Sequence, residues 1–147
     1  MTPARRPWTD WTLAAEAMAW LVFAAAAIRL LPFDALVRLA GWPLGANPPT
    51  PAGTVARVRW AMLAAARRAP WPPGCFEQGL AAQIMLRRRG VASSLHYGAA
   101  REMKGALAAH VWVRDGGVDL IGGEAANGFA SLAVFPPPSR ARRGDDG

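Results

Sequence analysis

The sequence contains very few of the residues that form disulfides and metal sites. It has one cysteine, Cys75, and two histidines, His96 and His110. One cysteine cannot form an internal disulfide, and a structural zinc site needs about four Cys or His ligands. We therefore expect no metal, no other cofactor, and a reduced, cytoplasmic setting.

Lysine is nearly absent as well. Lys104 is the only one, so arginine supplies almost all of the positive charge, and the formal net charge is +7 at pH 7. Such an excess suits an acidic partner, whether a peptide, a membrane surface or a nucleic acid. A nucleic-acid partner is not expected, because the sequence lacks the clustered aromatic and basic residues on strands that RNA-binding modules use.

A long hydrophobic run is also missing. The longest, 17–28, has twelve residues, whereas a bilayer span needs about 20. A buried helix over 11–31, capped by Asp10 or Thr12, is predicted instead, and membrane contact is not expected. A secretory signal is the alternative because two arginines precede the run, but the acidic residues beside it argue against a signal.

The chain has enough apolar residues, 52% of 147, to bury the core of one domain. We expect a flexible N-terminus over 1–10, a single domain over 11–136 and a disordered tail over 137–147. Within the domain, 11–69 is predicted to be helical, and 70–136 to combine a central helix with a small antiparallel sheet, an α+β fold. The predicted helices are 11–31, 34–40, 54–69 and one that starts at residue 75, and the predicted strands are 91–99, 108–113, 118–121 and 130–135.

The helix over 54–69 carries several arginines, among them Arg67 and Arg68. We interpret these arginines as a solvated face. The alternative is a docking surface for a partner or an acidic peptide.

The stretch 71–90 is the most informative part of the chain. Pro72, Pro73 and Gly74 cannot propagate a helix, so a helix is predicted to begin at Cys75, with the thiol on the face that points to the core. The amides of a first helical turn carry partial positive charge, which favours an anionic sulfur. Cys75 is thus placed to become a thiolate, although most single cysteines are inert buried groups.

A second reactive residue follows 35 positions later (110 minus 75). His110 lies in a short predicted strand, and a cysteine at a helix start with a histidine on a strand is what a thiol nucleophile and its base require. Trp112 shares the face of His110 and is expected to shield it. His96 is the weaker candidate, because alternation puts it on the exposed face of its strand, opposite Leu95.

Asp119 and Glu124 are the candidates for the acid that orients the imidazole. A two-residue turn at 115 and 116 or at 116 and 117 places His110 opposite residue 121 or 123. Asp119 then lies at least two residues, about 7 Å, from the position opposite His110 along the strand. Glu124 would fold back through the glycines before it, and a backbone carbonyl is a third option.

Cys75 begins a helix that LRRRG ends, and a strand AHVWV, a glycine turn and IGG follow. This pattern resembles the transglutaminase-like cysteine peptidases of lasso-peptide biosynthesis, the B2-type leader peptidases. The likeness covers roughly residues 12–135. It implies a papain/transglutaminase-like core and removal of the leader from a ribosomally made precursor. Cys75 matches the nucleophile of the family and His110 its general base, whereas the usual acid position falls at Gly122. The backbone amide of Cys75 is expected among the oxyanion donors.

The resemblance also implies partners. These are the precursor's leader peptide, a small leader-recognition protein and an asparagine-synthetase-like cyclase. The recognition protein is expected because the chain has no separate module for binding a leader. Two alternative functions stay open: a catalytically degenerate scaffold that binds precursor or synthetase, and another acyl transfer on the same fold.

Overall fold

Four helices precede four strands in the computed structural model, which describes residues 5–41, 53–101, 105–115, 118–121 and 129–135. The helices are α1 (Trp8–Leu30), α2 (Phe33–Ala40), α3 (Thr54–Arg68) and α4 (Cys75–Arg88), and the strands are β1 (Ser94–Arg101), β2 (Leu107–Asp115), β3 (Val118–Ile121) and β4 (Ala130–Phe135). The order of helices before strands is that of the α+β class, as predicted. The predicted tail over 137–147 lies outside the described residues.

The first helix begins at Trp8, three residues before its predicted start at residue 11. Pro7 precedes α1 in an extended conformation, and no side chain caps the helix. Asp10, a predicted cap, lies instead in the first turn with 6% of its surface exposed. Its carboxylate accepts hydrogen bonds from Arg6 (3.3 Å) and Arg57 (3.0 Å), which compensate for its burial.

Helix α4 lies at the centre of the molecule. It contacts α1, α2 and α3 as well as β1 and β2. Its residues 79–87 are all buried, and Leu80, Ile84, Met85 and Leu86 have no exposed surface. A helix that is apolar on most sides is stable only when it is covered on most sides, and here helices and sheet together cover it.

The end of α4 explains why the first strand starts late. Gly90 adopts a φ of +82°, its amide donates to Arg87 O (3.0 Å), and the amide of Val91 donates to Leu86 O (3.1 Å). This is the Schellman arrangement that ends many helices. Because these bonds hold Val91 in the helix terminus, β1 begins at Ser94 and not at residue 91 as predicted.

The four strands form one antiparallel sheet in the order β3-β2-β1-β4. In the central pair, Leu95 lies opposite Val113 and Gly98 lies opposite His110. The pairing of β1 with β4 shifts between Tyr97 and Gly98. The sheet therefore has β1 and β2 at its centre, and these are the strands that contact α4.

Helix α1 has the length and apolar composition of a membrane-crossing helix, although one third of its most apolar stretch is buried in the fold. A core helix and a signal sequence share these properties.

Candidate active site

Cys75 is the first residue of α4. Gly74 precedes it in an extended conformation, and no side chain caps this helix start. Gln78 fixes the preceding loop, because its side-chain Nε2 donates to Pro73 O (3.0 Å) and its backbone N–H donates to Gly74 O (3.1 Å). The helix start predicted from Pro-Pro-Gly is confirmed.

The predicted direction of the thiol was wrong. Cys75 is a free, exposed cysteine, whereas the buried part of α4 begins at Gly79, one turn later. The packed surfaces of helix and sheet therefore start after the first turn, and the thiol projects beyond them. An exposed sulfur beside first-turn amides is accessible to a substrate.

A close contact joins α4 to β2 near this thiol. A Cβ placed on Gly79 would lie 2.7 Å from Val111 Cγ1 and 3.0 Å from Leu95 Cδ1, so only glycine permits the observed approach. Cys75 is one helical turn, about 6 Å, from Gly79. His110 is the strand neighbour of Val111. The contact thus brings the segments that carry the two predicted catalytic residues together.

His110 belongs to a cluster of rings around Trp112. The imidazoles of His96 and His110 stack nearly parallel to the Trp112 ring, with centroid distances of 5.6 Å and 6.0 Å. Phe129 lies 5.2 Å from His110. Trp112 itself is 4% exposed, which confirms that it lies beside the imidazole and shields it.

Gly98 makes room for this cluster. A Cβ at this glycine would lie 2.7 Å from Cη2 and Cζ3 of Trp112 and 2.9 Å from Ala130 O. Gly98 also pairs with His110 across the sheet. The missing side chain therefore leaves room for the indole on which both imidazoles stack.

His96 differs from its predicted position on an exposed face. It is partly buried, stacks on Trp112, and its Nε2 lies 3.1 Å from Ser94 Oγ. The prediction assumed that only the Leu95 face of β1 is covered. Trp112, opposite His96 on the neighbouring strand, in fact covers part of the second face.

The imidazole of His110 lies on the sheet face opposite the α4 contact. Val111 points toward Gly79, and neighbouring strand residues point to opposite faces. The sheet therefore lies between the α4 contact and the imidazole of His110. The assignment of Cys75 and His110 as nucleophile and base stays a prediction.

The candidate acids remain predictions too. β3 pairs so that Asp119 lies opposite Arg114, and the register then shifts so that Val113 lies opposite Ile121. Of the two predicted partners of His110, residue 121 is therefore wrong, and residue 123 lies outside the described residues. The backbone of Asp119 faces a residue four positions, about 13 Å, from His110 along β2. Glu124 lies outside the described residues.

Sequence reasoning missed Trp71 as part of the site. Its Nε1 donates to Glu77 Oε2 in the first turn of α4 (2.8 Å). Trp71 also lines an apolar cavity of about 430 Å³ together with Val22, Leu30 and other residues of α1. The signal available was a tryptophan directly before Pro-Pro-Gly. Among the described residues, no three His, Cys, Asp or Glu side chains come together as metal ligands.

Comparison with known families agrees with this architecture. The model of the transglutaminase-like superfamily matches residues 18–134, which include α4, the sheet, Cys75 and His110. No curated protein and no solved structure matches the chain significantly. Cysteine peptidases and acyl transferases make up most of this superfamily. Because the match covers more than half of the chain, the protein belongs to the transglutaminase-like superfamily.

Proposed function

We propose that the protein is a cysteine peptidase that removes the leader from a ribosomally made lasso-peptide precursor. The observation that carries the proposal is the exposed, free thiol of Cys75 at the first residue of the central helix. The superfamily match supports thiol-based acyl transfer, and the sequence pattern around Cys75 and His110 supports the narrower assignment.

In the proposed reaction, His110 takes the proton of the Cys75 thiol, and the thiolate attacks the scissile carbonyl carbon. The backbone amide of Cys75 donates to the oxyanion that forms. When the intermediate collapses, the C–N bond breaks and His110 gives its proton to the departing amine of the core peptide. Water, deprotonated by His110, then cleaves the thioester. This second step releases the leader as an acid and restores the thiol.

The partners of this reaction are part of the proposal. Because the resemblance to the B2-type leader peptidases implies them, we propose a small leader-recognition protein as a partner and an asparagine-synthetase-like cyclase that acts on the released core. We also propose a cytoplasmic location, because Cys75 is a free cysteine and a reducing compartment keeps such thiols reduced.

The test is cleavage of the cognate precursor in the presence of the recognition protein. We expect Cys75→Ala to abolish cleavage and His110→Gln to slow it by about 10² to 10⁴. His96→Gln is the matched control, because His96 also stacks on Trp112. It should cause a much smaller loss. Cleavage by Cys75→Ala at the wild-type rate would refute the proposal.

A second candidate function is a scaffold that binds precursor or synthetase without cutting. The observation in its favour is the register that holds the backbone of Asp119 away from His110, together with the glycine at the family's acid position. Alkylation by iodoacetamide at about pH 6 separates the peptidase from the scaffold, because a poised thiolate reacts and an ordinary thiol of pKa about 8.5 hardly does.

Another acyl transfer on the same fold is distinguished by its product. If mass spectrometry finds one joined species and not two peptides, the reaction is acyl transfer.

A further inference from the structure

An exposed group of tryptophans and arginines lies where the start of α1 meets α3. It combines residues at the start of α1 with residues of α3, and we name it the Arg/Trp face: Arg6, Trp8, Trp11, Trp60, Arg67 and Arg68. Trp8 is 86% exposed and Trp11 is 43% exposed. Large exposed aromatic side chains in one patch are typical of interaction surfaces.

The two helices interlock at this face. The rings of Trp11 and Trp60 meet edge to face with centroids 5.5 Å apart. The guanidinium carbon of Arg6 lies 4.3 Å from the Trp60 ring centre, and that of Arg68 lies 5.1 Å from the Trp11 ring centre. Each arginine thus stacks on a tryptophan of the other helix, which holds the charged groups in fixed positions.

The stacked arginines retain hydrogen-bonding capacity. Arg6 donates one N–H to Asp10 (3.3 Å), and Arg68 donates one to Ala64 O (3.1 Å). A guanidinium has five N–H donors in a planar fork, a geometry that fits a carboxylate with two parallel bonds. The face therefore presents preorganised donors for carboxylates.

Two cavities give the face its shape. One, of about 550 Å³, is lined by Arg5, Arg6, Trp8 and Trp11. The other, of about 480 Å³, is lined by Trp60, Ala64, Arg67 and Arg68. Each combines an indole surface with guanidinium groups. None of the described residues that line the two cavities is acidic.

Asp10 lies beside this face, and it does not offset the charge. Its side chain is 8% exposed and paired with both Arg6 and Arg57. The outward surface consequently stays positive, which complements an acidic ligand.

We propose that the Arg/Trp face docks an acidic polypeptide segment in which Asp or Glu alternates with apolar side chains. The carboxylates would bind the guanidinium forks, and the apolar side chains would enter the two cavities. Indole rings beside guanidinium groups favour a polypeptide that offers both apolar side chains and carboxylates. A phosphate backbone would match the charge but would leave the indole surfaces unused.

The face and the start of α4 meet α1 at different places. Trp71, four residues before Cys75, packs on the Val22–Leu30 part of α1, whereas Arg68 stacks on Trp11 near the start of this helix. Trp11 and Val22 are about 16 Å apart along α1. The face is therefore a docking surface separate from the thiol.

The experiment measures binding to the full chain carrying Cys75→Ala, so its outcome does not depend on the proposed peptidase activity. The probe is a short synthetic peptide that alternates Glu with Leu and Phe, titrated while the tryptophan fluorescence and the heat of binding are recorded. We expect saturable binding that weakens between about 0.1 M and about 1 M salt, and no binding of the same peptide with Lys in place of Glu.

Charge reversal locates the site. Arg68→Glu and Trp8→Ser should each weaken binding at least about tenfold, a loss of about 1.4 kcal/mol. Arg38→Glu is the matched control, because Arg38 is an exposed helical arginine of α2 whose pair with Asp34 is 76% exposed on both sides, and it should leave the affinity unchanged. If Arg68→Glu does not fold, Arg67→Glu replaces it, since Arg67 donates only to Leu63 O within its own helix.

Three outcomes would overturn the proposal. They are no binding of the acidic peptide, equal affinity in the Arg68→Glu or Arg67→Glu variant, and tighter binding of anionic phosphatidylglycerol vesicles or of a single-stranded oligonucleotide than of the peptide.

Discussion

Gly79 lies so close to Val111 that any side chain at the glycine would meet the valine. The distance from a Cβ at Gly79 to Val111 Cγ1 would be 2.7 Å. This contact sets how near the nucleophile-bearing helix α4 lies to the strand that carries His110. Helix propensity alone would favour alanine over glycine by about 1 kcal/mol, so the close approach outweighs a local preference.

The first prediction follows from this contact. Gly79→Ala is expected to lower the free energy of unfolding by about 1 to 2 kcal/mol, because overpacking exceeds the gain in helix propensity. Val111→Ala alone leaves a cavity and also destabilises. In the double variant the added methyl fills the space that the valine vacated, so its loss should be smaller than the sum of the two single losses. Urea unfolding of all four proteins tests this, and strict additivity would contradict it.

Gln83 supports a second prediction, because it joins α2, α4 and the sheet in the interior. It has no exposed surface, and its Nε2 lies within hydrogen-bonding distance of Ala40 O (2.9 Å), Ser93 O (2.9 Å) and Phe135 O (3.2 Å). Its Oε1 accepts a bond from Ser93 Oγ (2.8 Å). Two N–H groups thus serve three carbonyls, which makes one of these bonds shared.

We expect Gln83→Leu to destabilise the fold by about 2 to 4 kcal/mol, since it leaves buried polar groups unpaired. Gln78→Leu is the matched control on the same helix. Gln78 is only partly buried, and its side chain donates one hydrogen bond, to Pro73 O. The control should lose about 1 kcal/mol. Similar losses in the two variants would show that the buried network contributes nothing beyond a single bond.

The third prediction concerns pH and the ion pair between α1 and the end of α4. Arg89 Nη1 and Nη2 donate to the two carboxylate oxygens of Glu16 at 3.0 Å and 2.6 Å. These hydrogen bonds, helped by the charge of Arg89, lower the pKa of Glu16 below its ordinary value of 4.5, although partial burial opposes the shift.

A lowered folded-state pKa gives stability that is complete above the unfolded-state value of about 4.5 and is lost as the pH falls through the lowered value. Wild type should therefore exceed Glu16→Gln in unfolding free energy at neutral pH, and this difference should shrink at acidic pH. Urea midpoints of both proteins measured between about pH 7 and about pH 3 test the sign. A difference that grows on acidification would refute the assignment.

Local signals in the sequence identified the elements that carry the site. Pro-Pro-Gly before Cys75 and Gly90 after the arginines fixed both ends of α4, because proline and glycine act on the backbone directly. The strand around His110 and the hairpin that follows it were predicted from alternation and turn residues, and the structure confirms them.

The errors arose where distant residues decide the outcome. Asp10 was predicted as a cap because capping is local, but Arg57, 47 positions away, holds it inside the first turn. His96 was predicted to be exposed because the prediction used only the alternation within β1. Its environment depends on Trp112 from the neighbouring strand. The exposure of Cys75 likewise depends on where the sheet meets α4, which no pattern within the helix records.

The last prediction concerns Gly98, which keeps the two histidines in place through Trp112. Gly98→Ala would push its methyl to within 2.7 Å of the indole and 2.9 Å of Ala130 O, so we expect a loss of about 1 to 3 kcal/mol and displaced ring resonances of His96 and His110 in NMR spectra. Trp112→Phe removes the indole atoms that the methyl would meet. In that background Gly98→Ala should cost less, with only the contact to Ala130 O remaining. Equal losses in both backgrounds would mean that the backbone of β4, and not the indole, demands glycine at this position.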